Sequence, residues 1–153
     1  MAEYTVHYFP IYARGEGIRM LLTHAGVEFT DNQVQFNDWQ TVKPTMPGGH
    51  MPCLELKDGT RMGETLSILR FLGHKHGYYP EDIDQAWECD SLLDGLADIF
   101  GKINGPNFAK GEAKEAAENE LFDKILPKFL GICEAKLAKG RNFLCGDQLT
   151  IAD

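Results

Sequence analysis

The side chains that could carry chemistry in this sequence are few, and each has an ordinary structural explanation when it is taken alone. Tyr8 lies near the end of a short predicted strand, where a tyrosine usually packs its ring half-buried. Arg14 and Lys43 are typical of surface charges, and Trp39 of a partly buried anchor. The pair Glu64-Thr65 is typical of a helix start whose side chains cap backbone N–H groups. None of these residues predicts a function by itself.

The cysteines and histidines show no pattern typical of metal binding or of a dithiol redox centre. The four cysteines are far apart and form no Cys-x-x-Cys pair, so we interpret them as reduced, mostly structural thiols. His74 and His76 are two residues apart, but no cysteine or acidic ligand lies at metal spacing beside them. We therefore expect no metal site. The cysteines are Cys53, Cys89, Cys133 and Cys145.

The first half of the chain alternates strand and helix signals, which is typical of an α/β domain. Pro10 ends the first strand because it lacks the N–H that a central ladder needs, and Gly26 ends the helix that follows. Residues 44–49 are predicted to be a loop. The predicted elements are a strand at 5–9, a helix at 15–25, a strand at 27–35, a hairpin of 52–56 and 61–62 around the two-residue turn Asp58-Gly59, and a helix at 65–76. This order fits a thioredoxin-like α/β sandwich.

A polar, proline-bearing break at residues 79–82 separates this half from a second half with helical periodicity only. We therefore predict a domain at 1–78, a linker at 79–82 and the start of an all-α domain at 83–153. Pro127 should bend the second long helix. The apolar stripes are Leu92, Leu96, Ile99 and Ile103 in the first helix, and Phe122, Leu126, Phe129, Cys133 and Leu137 in the second.

Thr150 and Asp153 form the Thr-x-x-Asp pattern of a capping box, in which the hydroxyl caps the first helical N–H groups and the acid caps back. This pattern predicts a further helix. We therefore expect the natural polypeptide to continue beyond Asp153.

The composition excludes two classes of partner. A formal net charge of −8 leaves no basic stripe that could follow a phosphate backbone, which disfavours nucleic-acid binding. No apolar run approaches the roughly 20 residues that span a bilayer, and the first residues lack a signal-peptide core. We therefore expect a cytoplasmic protein with no membrane partner.

Taken together, the same residues resemble the cytosolic glutathione transferase family over the whole chain. Tyr8, Arg14 and Trp39 make the sequence most similar to the sigma class of that family, with the pi class next. The matching motifs are residues 4–10, Arg14-Gly15-Glu16, Asp38-Trp39 with Lys43, Gly49-His50-Met51-Pro52, residues 64–72 and residues 146–153.

The resemblance implies that the Tyr8 hydroxyl donates a hydrogen bond to the sulfur of bound glutathione. A free thiol has a pKa of about 8.5, so little of it is thiolate at neutral pH. The thiolate is the nucleophile. Lowering that pKa by about two units requires roughly 2.7 kcal/mol. A hydrogen bond to a charged group supplies about 1.5–3 kcal/mol, and Arg14 would add positive potential. Glutathione is then a co-substrate for attack on small hydrophobic electrophiles, and no metal or other cofactor is required.

The resemblance also implies how glutathione is held. Trp39 and Lys43 would bind the glycyl carboxylate, one through its indole N–H and the other as a cation. Thr65 would bind the γ-glutamyl carboxylate at a helix N-terminus, and Glu64 would bind the amino group. The cysteinyl unit would pair, like an added strand, with the backbone of Met51 in the loop Gly49-His50-Met51-Pro52, whose proline is cis in the family.

An acidic stripe on the first long helix concerns a possible dimer. Asp90, Asp94 and Asp98 lie at i, i+4 and i+8, and a solvated helix face explains them equally well. The resemblance implies a homodimer in which Asp98 reaches the γ-glutamyl amine bound by the neighbouring subunit. Ala97 stands where some sigma-class prostaglandin synthases have a metal-associated acid, and Gly48 where several classes have an aromatic interface key. We therefore expect no metal-assisted variant and a more polar dimer interface.

Three other hypotheses, the first of them covering other reactions that use glutathione, compete with glutathione conjugation. One is an isomerase of the prostaglandin D synthase kind that uses glutathione, and peroxide reduction also stays open. A second is a non-catalytic scaffold that kept the fold. The third, a thioredoxin-like oxidoreductase, ranks last because no cysteine lies near the end of the first strand or in the first helix.

Overall fold

The computed structural model describes residues 2–153, with the backbone alone at positions 104, 105, 107 and 108. It divides into two compact units, one ending at Tyr78 and the other running Tyr79–Asp153. Each unit is described by itself below.

The first unit is built on a four-stranded sheet with strand order β2-β1-β3-β4. β1 is parallel to β2 and antiparallel to β3, and β3 is antiparallel to β4. The predicted thioredoxin-like α/β fold is confirmed. Its elements are β1 Tyr4–Tyr8, α1 Glu16–His24, β2 Phe29–Gln33, α2 Trp39–Val42, β3 Cys53–Leu56, β4 Arg61–Met62 and α3 Thr65–His76.

The core of this unit lies where α1 and α3 pack together. Tyr4, Val6 and Tyr8 alternate along β1 and are all buried, which puts their side chains on one face of the strand. Ile18 and Leu72 are fully buried at the helical spacings that the sequence indicated. Burying such side chains contributes about 1.5–3 kcal/mol each, and this packing holds the end of β1 in place.

Two local predictions in this unit are wrong in detail. The hairpin turn has three residues, 57–59, because the Leu56 N–H donates to the Thr60 carbonyl at 2.9 Å. Gly59 has φ +85°, the left-handed residue that three-residue hairpins require. The segment predicted as loop forms the short 3₁₀ turns Lys43–Thr45 and Pro47–Gly49 after α2, elements too short to show periodicity.

The second unit contains helices α4 Ile83–Phe108, α5 Glu112–Glu120 and α6 Leu126–Leu137, with a π-helical turn Leu121–Ile125 between the last two. Leu92 and Ile99 are buried as predicted. Phe122 and Leu137 were predicted to line the apolar stripe, but they are 62% and 36% exposed, whereas Leu121 is buried.

The π-helical turn explains the exposure of Phe122 and the burial of Leu121. Its wider hydrogen-bonding loop adds a residue to one turn and so rotates the helix face that follows. The predicted bend at Pro127 is therefore a π-helical turn that ends at Ile125, and Pro127 falls in the first turn of α6, where its missing N–H costs nothing.

The predicted capping box forms. The Asp153 carboxylate accepts from the Thr150 N–H at 2.9 Å, and the Thr150 hydroxyl accepts from the Ala152 N–H at 3.3 Å. Among the helices of the described residues, none combines the length and the apolar character that crossing a bilayer requires.

Candidate functional site

Three segments that are far apart in sequence reach the same end of the sheet. β1 and β3 are antiparallel with His7 opposite Cys53, so Tyr8 and Pro52 lie at one end. β4 runs back along β3 and leads into α3 at that end, which begins at Thr65. The topology therefore places the predicted tyrosine, the proline loop and the helix N-terminus around this one end of the sheet.

The ring of Tyr8 lies in a narrow slot. Its side chain is 6% exposed, and a Cβ atom built on Gly15 would lie 2.4 Å from ring atom Cδ1 and 2.5 Å from Cγ. The Tyr8 carbonyl accepts from the Val34 N–H at 2.8 Å. The absence of a side chain at position 15 is thus what lets α1 approach the ring, and both the backbone and the ring of Tyr8 are held.

An aromatic cluster connects Trp39 to the same end of the sheet. The Phe9 ring lies 5.8 Å from that of Tyr8 and 5.5 Å from that of Trp39, with tilted or edge-on geometry. Phe36 stacks on Phe9 at 4.7 Å. Because such contacts contribute beyond area burial, they hold the half-buried Trp39 near the end of β1.

Lys43 and the proline loop are also close to each other. The Lys43 Cε atom lies 3.4 Å from the position of a Cβ on Gly49, whose φ is +68°. His50 is exposed and Met51 half-buried. The Met51–Pro52 peptide bond is cis, as the resemblance implied.

The start of α3 has an unusual backbone. Glu64 has φ 65° and ψ 107°, a conformation that costs a non-glycine residue on the order of 1–3 kcal/mol. The exposed Glu64 side chain makes no cap hydrogen bond to the helix in the described structure, so the capping interpretation is wrong for Glu64. The first N–H groups of α3, at Thr65 and the residues after it, are donors of the kind that bind anions at helix N-termini.

Two further predicted residues, Arg14 and Asp98, are both exposed. Arg14 is exposed in the segment before α1. Asp98 is exposed on α4 and belongs to the second compact unit. Asp90, in the same acidic stripe, is half-buried and accepts from the Tyr79 hydroxyl at 2.8 Å, so the stripe is not uniformly solvated.

The ionisable groups around the sheet favour a site without a protein thiolate. Cys53 follows Pro52 and is fully buried, and burial raises the pKa of its thiol. Burial also lowers the pKa of His7, although the Glu55 carboxylate lies 3.2 Å from its Nε2 atom. Within the described part of the chain, no group of three or more His, Cys, Asp or Glu residues is arranged to hold a metal ion.

Sequence reasoning missed Gly15 and Arg19 as parts of the site. The motif Arg14-Gly15-Glu16 includes Gly15 without indicating its contact with Tyr8, and the sequence by itself assigns no role to Arg19. The available signal was their spacing of four residues, which puts both on one face of α1. The strained backbone of Glu64 left no trace in the sequence.

Comparisons with known proteins agree with this fold. The family model "Glutathione S-transferase, N-terminal domain" matches residues 14–75, and the model of the C-terminal domain matches residues 97–153. The class-mu 28 kDa glutathione S-transferase of Schistosoma japonicum is 33% identical over 95% of this chain and 73% of its own length. S-crystallin SL20-1 of Nototodarus sloanii is 28% identical over 100% of this chain and 78% of its own. The structure of prostaglandin synthase D of Nilaparvata lugens superposes with a TM-score of 0.89 and 27% identity, over 98% of this chain and 75% of that one.

The fold and the site define a class of protein: a thioredoxin-like domain with a tyrosine at the end of its first strand, joined in one chain to a helical unit. The chain belongs to the glutathione S-transferase family. It is a glutathione transferase, an enzyme that acts on glutathione and an electrophilic substrate.

Proposed function

We propose that the Tyr8 hydroxyl stabilises the thiolate of bound glutathione for attack on small hydrophobic electrophiles. The observation that carries this proposal is the slot in which the Tyr8 ring is held, at the sheet end shared with Pro52 and the start of α3. One hydrogen bond to a charged sulfur is worth about 1.5–3 kcal/mol, and a thiol pKa lowered by about two units needs roughly 2.7 kcal/mol. Arg14 adds positive potential.

The same proposal assigns the ends of glutathione. Trp39 and Lys43 bind the glycyl carboxylate, which is supported by the aromatic cluster around Trp39 and by the Lys43 side chain, which lies beside Gly49. The N-terminus of α3 receives the γ-glutamyl carboxylate at Thr65, and the outward-facing Glu64 binds the amine. The backbone of Met51, in the loop Gly49-His50-Met51-Pro52, pairs with the cysteinyl unit. Glutathione is the co-substrate, and no metal or further cofactor takes part.

Assembly and class are part of the proposal. We place the enzyme in the cytoplasm as a homodimer of sigma-class type, in which Asp98 reaches glutathione bound by the second copy. The exposure of Asp98 on α4 leaves its carboxylate accessible to such a contact. A Kd for self-association measured for wild type and Asp98→Asn would test this arrangement. Unchanged glutathione affinity in a dimeric Asp98→Asn variant would remove Asp98 from the site.

A second candidate is isomerisation of a prostaglandin endoperoxide with glutathione, favoured by the superposition on prostaglandin synthase D. It uses the same thiolate and differs only in the acceptor. Parallel assays with an aryl halide and with an endoperoxide separate conjugation from isomerisation. Absence of turnover with both would favour a scaffold role, for which the likeness to S-crystallin provides a precedent in sequence.

The test of Tyr8 is a Tyr8→Phe variant. We expect kcat/KM for aryl halide conjugation at about pH 6.5 to fall by about 100-fold, the equivalent of roughly 2.7 kcal/mol, while the Kd for glutathione changes by less than about threefold. Tyr4→Phe is the matched control, because Tyr4 is buried in the same strand and its hydroxyl is hydrogen-bonded to His76 Nε2 at 3.1 Å. Tyr4→Phe should keep full turnover. Undiminished conjugation by Tyr8→Phe would refute the proposed role.

A further inference from the structure

Arg19 is a partly buried cation in the middle of α1, and its hydrogen bonds converge on the segment that follows Tyr8. Its side chain is only 13% exposed. The two terminal nitrogens donate to the backbone carbonyls of Phe9 at 3.2 Å and Ile11 at 3.1 Å. These two carbonyls flank Pro10, the residue two positions beyond Tyr8. One guanidinium therefore holds the chain immediately after the proposed catalytic tyrosine.

Two carboxylates hold the guanidinium itself. The Nε atom donates to Asp31 Oδ1 at 2.9 Å, and one terminal nitrogen donates to Glu16 Oε2 at 3.2 Å. Burial opposes the charge on Arg19, but the hydrogen bonds to Asp31 and Glu16 outweigh it and raise the pKa of Arg19. The planar fork of arginine has five N–H donors on three nitrogens and here serves four acceptors, whereas lysine has three N–H donors on a single nitrogen.

The same guanidinium faces the Tyr8 ring. Its central carbon lies 5.7 Å from the ring centroid, within the range of a cation–π contact. Gly15, one helical turn earlier, closes against the ring at Cδ1. The orientation of the phenol is thus set by α1 through two residues on one helix face.

We infer that Arg19 is a positioning residue for glutathione activation: by clamping the Phe9 and Ile11 carbonyls and facing the Tyr8 ring, it aims the Tyr8 hydroxyl at the glutathione sulfur. This inference rests on the proposed role of Tyr8. Arg19 lies outside the residues proposed to bind glutathione, so its effect should appear in thiolate formation and not in affinity. A displacement of a catalytic group by about 1 Å can cost on the order of 100-fold, so partial loss of the clamp should be measurable.

The experiment replaces Arg19 with lysine, which keeps the charge but not the fork. In Arg19→Lys we expect kcat/KM at about pH 6.5 to fall about tenfold and the apparent pKa of bound glutathione, from thiolate absorbance, to rise by about one unit, with Kd for glutathione within about twofold. Arg141→Lys is the matched control, since Arg141 also bonds one carboxylate, Glu88, and one backbone carbonyl, Leu144. It should leave the thiol pKa unchanged. If Arg19→Lys does not fold, Asp31→Asn removes one anchor of the guanidinium and should give a smaller rise of the same sign.

A double-mutant cycle with Tyr8→Phe decides whether Arg19 acts through Tyr8. If it does, Arg19→Lys in the Tyr8→Phe background should change the thiol pKa by less than about 0.2 units, because no hydroxyl remains to be aimed. An equal pKa change in both backgrounds overturns the inference and leaves the role of Tyr8 standing. No pKa change in the single variant Tyr8→Phe overturns the proposed function itself.

Discussion

Replacing Gly15 with alanine tests the slot around Tyr8 directly. The new methyl carbon would lie 2.4 Å from Tyr8 Cδ1 and 2.5 Å from Cγ. Carbon atoms in contact are about 3.5–4.0 Å apart, so the ring or the start of α1 must move by about 1 Å. The backbone of Gly15, at φ −82° and ψ −19°, is one that alanine adopts without strain. Any loss of stability or turnover therefore comes from the contact with the ring.

The expected result has two parts. An alanine in a compatible backbone gains about 0.4–1 kcal/mol through the unfolded chain, whereas overpacking costs about 1–3 kcal/mol, so Gly15→Ala should lower the free energy of unfolding by about 1–2 kcal/mol. A shift of the hydroxyl by about 1 Å should lower kcat/KM by on the order of 100-fold. Urea unfolding and aryl halide conjugation measure the two effects on the same preparation.

Gly17→Ala is the matched control within α1. The nearest atoms to its new methyl carbon are Leu69 Cδ1 at 3.6 Å and Cδ2 at 3.8 Å, which is ordinary contact. Since alanine is favoured over glycine in a helix by about 1 kcal/mol, Gly17→Ala should be as stable as wild type or more stable, with unchanged turnover. The reasoning fails if Gly15→Ala matches Gly17→Ala in both stability and turnover.

Two further predictions concern stability. Burial lowers the pKa of His7 although Glu55 lies beside it, so the unfolded state binds this proton more readily. The free energy of unfolding should therefore decline as the pH falls from about 7 through the ordinary histidine pKa of about 6.5. In His7→Gln, whose side chain can still bond Asn32 and Glu55, the urea midpoint should change less with pH between about pH 7 and pH 5 than in wild type. Parallel plots of midpoint against pH for the two proteins would contradict the assignment. Asp153→Ala removes the carboxylate that accepts from the N–H and the hydroxyl of Thr150, and should lower the free energy of unfolding by about 0.5–2 kcal/mol. Thermal unfolding at neutral pH checks this loss, and an unchanged midpoint would mean that the cap is not formed in solution.

Much of the fold could be predicted because its signals are local. Pro10 and Gly26 mark element ends through backbone chemistry that depends little on distant residues, and the structure places β1 and α1 accordingly. Deviations appear where local signals compete or are absent. The Asp58-Gly59 pair predicted a turn at the right place but one residue too short, because turn length depends on the register between strands.

The register of the second long helix could not be read in the same way. Spacings of three and four assume a uniform α-helix, and the π-helical turn Leu121–Ile125 breaks that assumption. As a result Leu121 is buried and Phe122 exposed, the reverse of the periodicity argument. This arrangement depends on packing between helices, which a single sequence does not indicate directly.

The sequence by itself determined which side chains were available for chemistry and, by resemblance, the family. It predicted, by that resemblance, that Tyr8, Trp39 and Thr65 belong to one site although each is ordinary alone. Only the tertiary structure decided how they are held, because the antiparallel register brings Tyr8 to Pro52 and the packing of α1 brings Gly15 and Arg19 against the ring. Those contacts join residues that share a helix face or a sheet end. The residue type supplies the hydroxyl of Tyr8, and these contacts determine its position.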